Sequence, residues 1–459
     1  MKLFTFLFSA AAASAFVTPS GGIYRQAVLN TENENEVQSA SQAWWDGITN
    51  GEAIFFPVVR NLADSIESSV DGALDAISRY LGDDEDSDSS DGDSDDDGDD
   101  GDHHGRHGHH GNASKTIYEL IAESKYTKRF AELIEEYDDI KELLQDTKAN
   151  HTLFVPTDSA FERIPHDHKK PPKEFIQAVL EYHLAPGLFP TRRVLFSHTV
   201  PTELKLASLG GHRQRLRIGV SLFGVRINFY GKLVATDIIA KNGLIHAVDA
   251  ILVPPPRQGK IIQLLPNTFS TFSLALETTG LGEDLADLEW FGGTVFAPTN
   301  SAFTKLGRRA NAFLFSEHGK KYLRALLKYS IVANETLYSD AFYKRGSGHH
   351  DHNDKVESVS DYWHVDLPSL LDEKAIGVDI RRWKRFISIL VNGRVHVTIQ
   401  DGVAADGVVQ VVDTVLIPPR HPHNPGADKE DGEISVDELK ERLAAYVDDS
   451  SEGGHSADL

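Results

Sequence analysis

Five histidines, His103, His104, His107, His109 and His110, stand together just after a run of acid. Residues 83–102 hold thirteen Asp or Glu and no base. Imidazoles at this density suit Zn²⁺, Cu²⁺ or Ni²⁺, and dense carboxylates suit Ca²⁺ weakly. A second cluster is His349, His350 and His352. Two stretches imitate a calcium loop. "DSDDDG" (93–98) puts Asp93, Asp95, Asp97 and Gly98 in register, but His104 stands where a bidentate Glu belongs. "ADKEDGEISVDE" (427–438) aligns Asp431, Gly432, Ile434 and Glu438, but opens with Ala427 and has Lys429 third. Neither follows an entering helix, so both read as coincidences of composition. The rival to metal binding for 83–112 is a disordered linker, because like charges repel and nothing there can bury a core. The charge pattern favours the linker.

Other chemistry is missing from the chain. There is no cysteine, which excludes thiol catalysis and Cys-based metal sites. "GVSLFG" (219–224) lacks the spacing of a nucleophile elbow, and no His-Glu-x-x-His or Gly-rich phosphate loop occurs. The expectation is a non-enzyme without cofactor. A net charge of −23 argues against a nucleic-acid partner.

The elements that would carry any site begin with "MKLFTFLFSAAAASA" (1–15), which has the order of a secretory signal peptide and is too short to span a membrane. No later run is long and apolar enough to span, and no GPI-type tail follows, so no transmembrane anchor is expected. Secretion makes Asn112, Asn150 and Asn334 N-glycosylation candidates, each in an Asn-x-Ser/Thr triplet. Residues 16–44 read as loose. Leu62, Ile66, Val70, Leu74, Ile77 and Leu81 then form one helical stripe. Its acidic polar face suits docking on a neighbour, or a homodimer through a 58–81 helix, better than a membrane surface.

Beyond the linker the chain repeats itself. "HTLFVPTDSAF" (151–161) returns as "GTVFAPTNSAF" (293–303), each a strand, a proline corner and a helix start. "VLEYHLAPG" (179–187) is matched by "LLKYSIVAN" (326–334), and "KNGLIHAVDAILVPP" (241–255) by "ADGVVQVVDTVLIPP" (405–419). Thr116 to about Leu144 reads as helical, and the closing motif as a turn into an alternating strand. The second copy is longer, with 344–361 as the candidate surface excursion. The order implies two copies of one α+β domain: 1–15 signal peptide, 16–82 N-terminal segment with amphipathic helix, 83–112 linker, 113–256 and 257–420 the repeats, and 421–459 an acidic tail.

At these motifs the chain resembles the fasciclin (FAS1) family, whose two signature motifs and intervening Tyr-His segment appear in order and twice. The resemblance is similar in organisation to two-domain secreted fungal proteins. It implies a β-wedge with packed helices, and non-catalytic adhesion or scaffolding at a cell surface, cell wall or matrix. The implied partner is a cell-surface or cell-wall protein or glycan. In animal members adhesion is associated with residues that correspond to Tyr182, His183, Asp237 and Ile238. The second copy departs from the pattern, with Ser330 for His183, Asp401-Gly402 for Asp237-Ile238 and Gln410 for His246. The residues alone offer another reading of Tyr182, His183 and His246: on apolar runs such groups are more often hydrogen-bonded core. The alternative function is an extracellular or vacuolar metal-binding protein acting through the Asp/His-rich linker.

Overall fold

The repeated corner starts the central strand of each domain. In the computed structural model, residues 37–43, 114–163, 171–221, 224–287, 291–340, 360–372, 374–383, 385–419 and 434–447 are described. Strand β1 (His151–Pro156) is buried along its whole length. Pro156 ends it, and Thr157 precedes helix Asp158–Phe161. The second copy repeats this with β8 (Gly293–Pro298) and helix Asn300–Lys305, where the Thr299 hydroxyl accepts from the amide of Ala302.

Domain 1 continues with β2 (Leu184–Pro186), β3 (Thr199–Leu206), β4 (His212–Ser221), β5 (Gly224–Ile227), β6 (Gly231–Ala240) and β7 (Gly243–Val248). Its sheet order is β2-β1-β7-β6-β5-β4-β3. Domain 2 has β9 (Ile331–Ala333), β10 (Ser360–Pro368), β11 (Ala375–Trp383), β12 (Phe386–Val391), β13 (Val395–Ala404) and β14 (Gly407–Val412). Read from its β9 end, that sheet runs β9-β8-β14-β13-β12-β11-β10, the same order. In each sheet the first and last strands, β1·β7 and β8·β14, pair in parallel, while the other pairings are antiparallel. The repeat is therefore a duplicated α+β domain of curved sheet plus helices.

The stretch read as helical from Thr116 to about Leu144 is helical in three pieces: Ile117–Glu123, Lys128–Glu135 and Asp138–Gln145. Thr116 and Glu119 form a capping box on the first, and Ser124 leaves it in an extended conformation. The short helices can then wrap Leu153, Val155 and Ile245, where a straight rod could touch only part of that surface.

Two ends differ from expectation. Residues 37–43, read as loose, are helical, with Val37 in the core of domain 1 and the Ser41 hydroxyl donating to the carbonyl of Pro254 at 2.7 Å. The acidic tail contains helix Val436–Leu443, whose Leu439 and Leu443 are fully buried in domain 2. Its apolar pair at i and i+4 forms a single narrow stripe, which the surrounding acids mask in composition. The signal peptide, the 58–81 helix, the 83–112 linker and most of the 344–361 excursion lie outside the described residues; Ser360 already belongs to β10.

The closing turns position the parallel pairs. The Asn242 carboxamide accepts from the amide of Ile117 and donates to the carbonyls of Leu144 and Asp146. A Cβ on Gly243 (φ 156°) would lie 1.9 Å from the His151 carbonyl oxygen, and one on Gly407 (φ 140°) 2.1 Å from that of Gly293. No side chain fits either place. Gly243→Ala is expected to destabilise domain 1 by several kcal/mol, and Gly407→Ala to do the same to domain 2. Thermal unfolding resolved by domain-specific hydrogen exchange checks which half fails.

Candidate functional site

The sequence-derived residues form a buried brace in each domain. Tyr182 and His183 are both 0% exposed. The Tyr182 hydroxyl donates to the carbonyl of Arg215 and accepts from Asn228. His183 donates from Nδ1 to Val179 O and accepts at Nε2 from the amide of Leu252, so both ring nitrogens are used. Tyr329 repeats the first arrangement with Ala375 and Asn392. Neither Tyr182 nor His183 can touch a partner without opening the core.

Asp237 and Ile238 lie half-buried in a bulge of β6. Asp237 has φ 55°, and its carboxylate accepts from the amide of Thr191 at 2.9 Å. His246 accepts from the Asp237 amide and donates to the carbonyl of Phe189. The bulge thus ties down the segment after β2. Domain 2 builds the same tie from Asp401 (φ 59°), which accepts from Ser339, with Gln410 in the place of His246 and bonded to Leu337. Ile238 packs against the core of domain 1, while the next residue, Ile239, is 48% exposed.

Asn150 and Asn334 are exposed, as glycan acceptors require, and Asn112 lies outside the described residues. The hydroxyl of Thr152 in the Asn150 triplet is engaged inside the fold with Gly187 O. His103, His104, His107, His109 and His110 also lie outside the described residues, as do His349, His350 and His352. Among the described residues no group of three or more His, Asp or Glu is arranged to hold a metal ion. Glu438, from the second calcium-loop look-alike, is paired with Arg442 on the C-terminal helix.

Two features carry no sequence motif. The first is the contact between the domains. The Asp340 carboxylate accepts from the amides of His198 and Thr199 and from the Thr199 hydroxyl. Arg215 lies over the Tyr338 ring, and Arg217 donates to the carbonyl of Gln400. From the other side Arg385 reaches Leu195 O, and His198 Nε2 donates to Arg385 O at 2.7 Å. Burial presses the Arg217 and Arg385 guanidiniums down to about 10. Burial, with Asp340 nearby, pushes Asp401 up to about 6.

The second feature is an open face on domain 2. "DYWHVD" (361–366) alternates, so Trp363 and Val365 turn inward while Tyr362, His364 and Asp366 turn outward on β10. Asp379, Arg381 and Trp383 of β11 share that outer side. Tyr362 is 58% and Trp383 42% exposed. Asp379 accepts from the Tyr362 hydroxyl and from His364 Nδ1 at 2.8 Å, and Arg381 lies over the Tyr362 ring. The Asp379 carboxylate raises the His364 pKa. The outer side of this edge of the sheet thus presents two exposed aromatics among charged side chains.

A tandem of two like-ordered α+β domains joined through a polar interface defines the class. The chain belongs to the fasciclin domain family, whose profile matches residues 125–254 and 267–418. It is similar to aurofusarin biosynthesis cluster protein S of Gibberella zeae, 30% identical over 66% of this chain and 77% of that protein. Human periostin is 30% identical over 33% of this chain and 18% of its own length. The fasciclin-like arabinogalactan protein elcF of Phaeosphaeria nodorum is 22% identical over 61% and 83%. Rat stabilin-2 is matched over only 14% of its length, so this chain spans a small part of such relatives. A solved FAS1 domain pair from the insect cell adhesion molecule fasciclin I shares 16% identity, covering 63% of this chain and 96% of that one at a TM-score of 0.32. No described helix is long and apolar enough to cross a membrane.

The domains should respond oppositely to acid. Burial lowers His183 and His198 of domain 1 to about 4, and lowers His246. A histidine held neutral contributes stability above its unfolded pKa of about 6.5 and loses it as pH falls toward about 4. For the fully buried His183 this is on the order of 3 kcal/mol. Asp401 has the opposite sign: its contribution is complete below its unfolded pKa and is lost as pH rises through about 6. Burial also raises Glu335 in domain 2, and raises Glu181 in domain 1, where it offsets part of the histidine effect. Between pH 6.5 and 4.5 domain 1 is expected to melt first. His183→Ser and His246→Gln, the residues domain 2 uses at these places, should flatten its pH slope even if they lower its stability. Calorimetry across that range reads the slope for each domain.

Proposed function

We propose that this chain is a secreted, non-catalytic adhesion or scaffolding protein of the cell surface, cell wall or extracellular matrix. Its partner would be a protein or glycan of that surface. The observation that carries this reading is the outward row Tyr362, His364, Arg381 and Trp383 on the edge of domain 2. Membership of the fasciclin family supports it. So does the use of the motif residues: Tyr182, His183 and His246 hold the fold with every polar atom engaged, as a rigid contact module needs. Asp237 and Ile238 would then influence adhesion through the segment that Asp237 ties, rather than by touching the partner. N-glycans on Asn112, Asn150 or Asn334 fit the same compartment, and the vacuole is the other exported destination.

A second reading is a part in a biosynthetic pathway. It is favoured by the similarity, over most of both chains, to a protein named for the aurofusarin cluster. The metal-binding alternative depends on the 83–112 histidines and is decided by calorimetry with Zn²⁺ or Cu²⁺ alone.

The adhesion reading is tested by coating a surface with the full chain and measuring attachment of wall or matrix fragments. Tyr362→Ala with Trp383→Ala is expected to reduce attachment about tenfold or more, as loss of aromatic anchors does, with melting unchanged. Asp237→Ala should weaken attachment only together with a drop in domain 1 stability. Attachment that survives the aromatic pair at full strength overturns the reading.

A further inference from the structure

The interface inside the chain has two sides, and each side has an unused counterpart on the other domain. Hydrogen bonds that recur in both copies fix the correspondence. Arg217 and Gly377 both bond to the Asn that follows β5 or β12, through Asn228 and Asn392. Arg215 and Ala375 both accept from the core tyrosine. Thr199 pairs with Arg217 as Asp366 pairs with Gly377. The receiving side of domain 1, Thr199, Arg215 and Arg217, therefore corresponds to Asp366, Ala375 and Gly377 of domain 2. There Asp366 and Ala375 are exposed and Gly377 is half-exposed.

The inserting side is fixed likewise. Thr191 bonds Asp237 as Ser339 bonds Asp401. Tyr338 and Asp340 of domain 2, which meet domain 1, and Val403, clustered with Tyr338, thus correspond to Pro190, Arg192 and Ile239. Tyr338 and Val403 are each 8% exposed, whereas Ile239 is 48% exposed, and Pro190 and Arg192 are exposed too. Leu188, 41% exposed, adds to this apolar rim.

The charges are exchanged between the two sets. Within the chain a basic receiver, Arg215 and Arg217, meets an acidic insert, Asp340 and Asp401. The unused receiver on domain 2 is acidic, with Asp366 and, two pairs further along the strands, Asp379 beside His364. The unused insert on domain 1 keeps an acid, Asp237, at the place of Asp401, but its exposed rim is basic, with Arg192 where domain 2 has Asp340 and Arg193 beside it. Joining the two inserts, or the two receivers, to their own kind would set like charges together. The set that remains is Arg192 with Asp366 and Asp379.

We propose that the open face of domain 2 receives domain 1 of a second copy of this chain, through the surfaces that already join the domains within one copy. The contact is heterologous, so it continues from copy to copy in the order domain 1, domain 2, domain 1, as a file or a closed ring. It names a partner for the adhesion role and rests on that reading for its purpose, though not for its geometry. Exposed charge on both sides makes the contact salt-sensitive.

The test is sedimentation velocity of the full chain over a dilution series at low and high salt. Wild type is expected to show mass rising with concentration and falling with salt. Arg192→Glu and Asp366→Arg should each weaken association about tenfold or more. The double variant carrying both should recover it, which a mere folding defect would not do. Far-ultraviolet circular dichroism and melting of each variant check that the domains remain folded. A chain that stays monomeric at all concentrations, or associates equally well with Arg192→Glu, overturns the proposal. Association lost only on deleting 58–81 assigns self-contact to that helix and also overturns it. If the chain remains monomeric yet attaches to wall or matrix fragments, this inference alone fails; if it associates but does not attach, the adhesion reading fails.

Discussion

The parallel pairing of the first and last strands is the constraint on which each domain depends. β1 lies between β2 and β7, and β8 between β9 and β14. Closing this pair brings the two signature motifs together across roughly a hundred residues of chain, a non-local contact that costs loop entropy before it returns burial. Gly243 and Gly407 permit the approach, and Asn242 ties the turn to the helices that precede β1. Phe154 and Phe296, both fully buried, then sit on a surface both ends of the domain have made.

The polar groups around that centre solve one problem in two ways. Domain 1 uses His183 and His246, domain 2 uses Ser330 and Gln410: His246 and Gln410 bond the segment after the short strand, at Phe189 O and Leu337 O, while His183 and Ser330 bond back to the preceding helix, at Val179 O and Leu326 O. A neutral imidazole and a carboxamide can hold similar bonds, but only the imidazole has a proton equilibrium near neutrality. The duplicated fold therefore carries two different acid sensitivities.

Much of this was legible in the chain itself. The strand, corner and helix of "HTLFVPTDSAF" are local, so its second appearance announced the duplication, and Asn242-Gly243 announced its turn. The alternation of "DYWHVD" marks which side of β10 faces out, although its value as a surface needs the fold. The interdomain contact was not legible. Asp340 meets Thr199 across 141 residues that include the second copy of the corner motif, and periodicity reports which side of a strand is apolar, not which surfaces meet. Tyr182 and His183 were visible as residue types, but a binding tyrosine and a core tyrosine look the same in one dimension. The tail helix was hidden because two leucines are too few to stand out among acids.

That helix bears on how the protein is made. Domain 1 has its last core strand at β7 and its last buried prolines by Pro256, well before the chain is finished. Domain 2 lacks Leu439 and Leu443 until synthesis has passed its own final strand. During N-to-C synthesis the first domain can close and offer Thr199, Arg215 and Arg217 while the second is still incomplete. The growing second domain thus meets a finished surface, and Asp340 can be captured before the last apolar side of its core is covered.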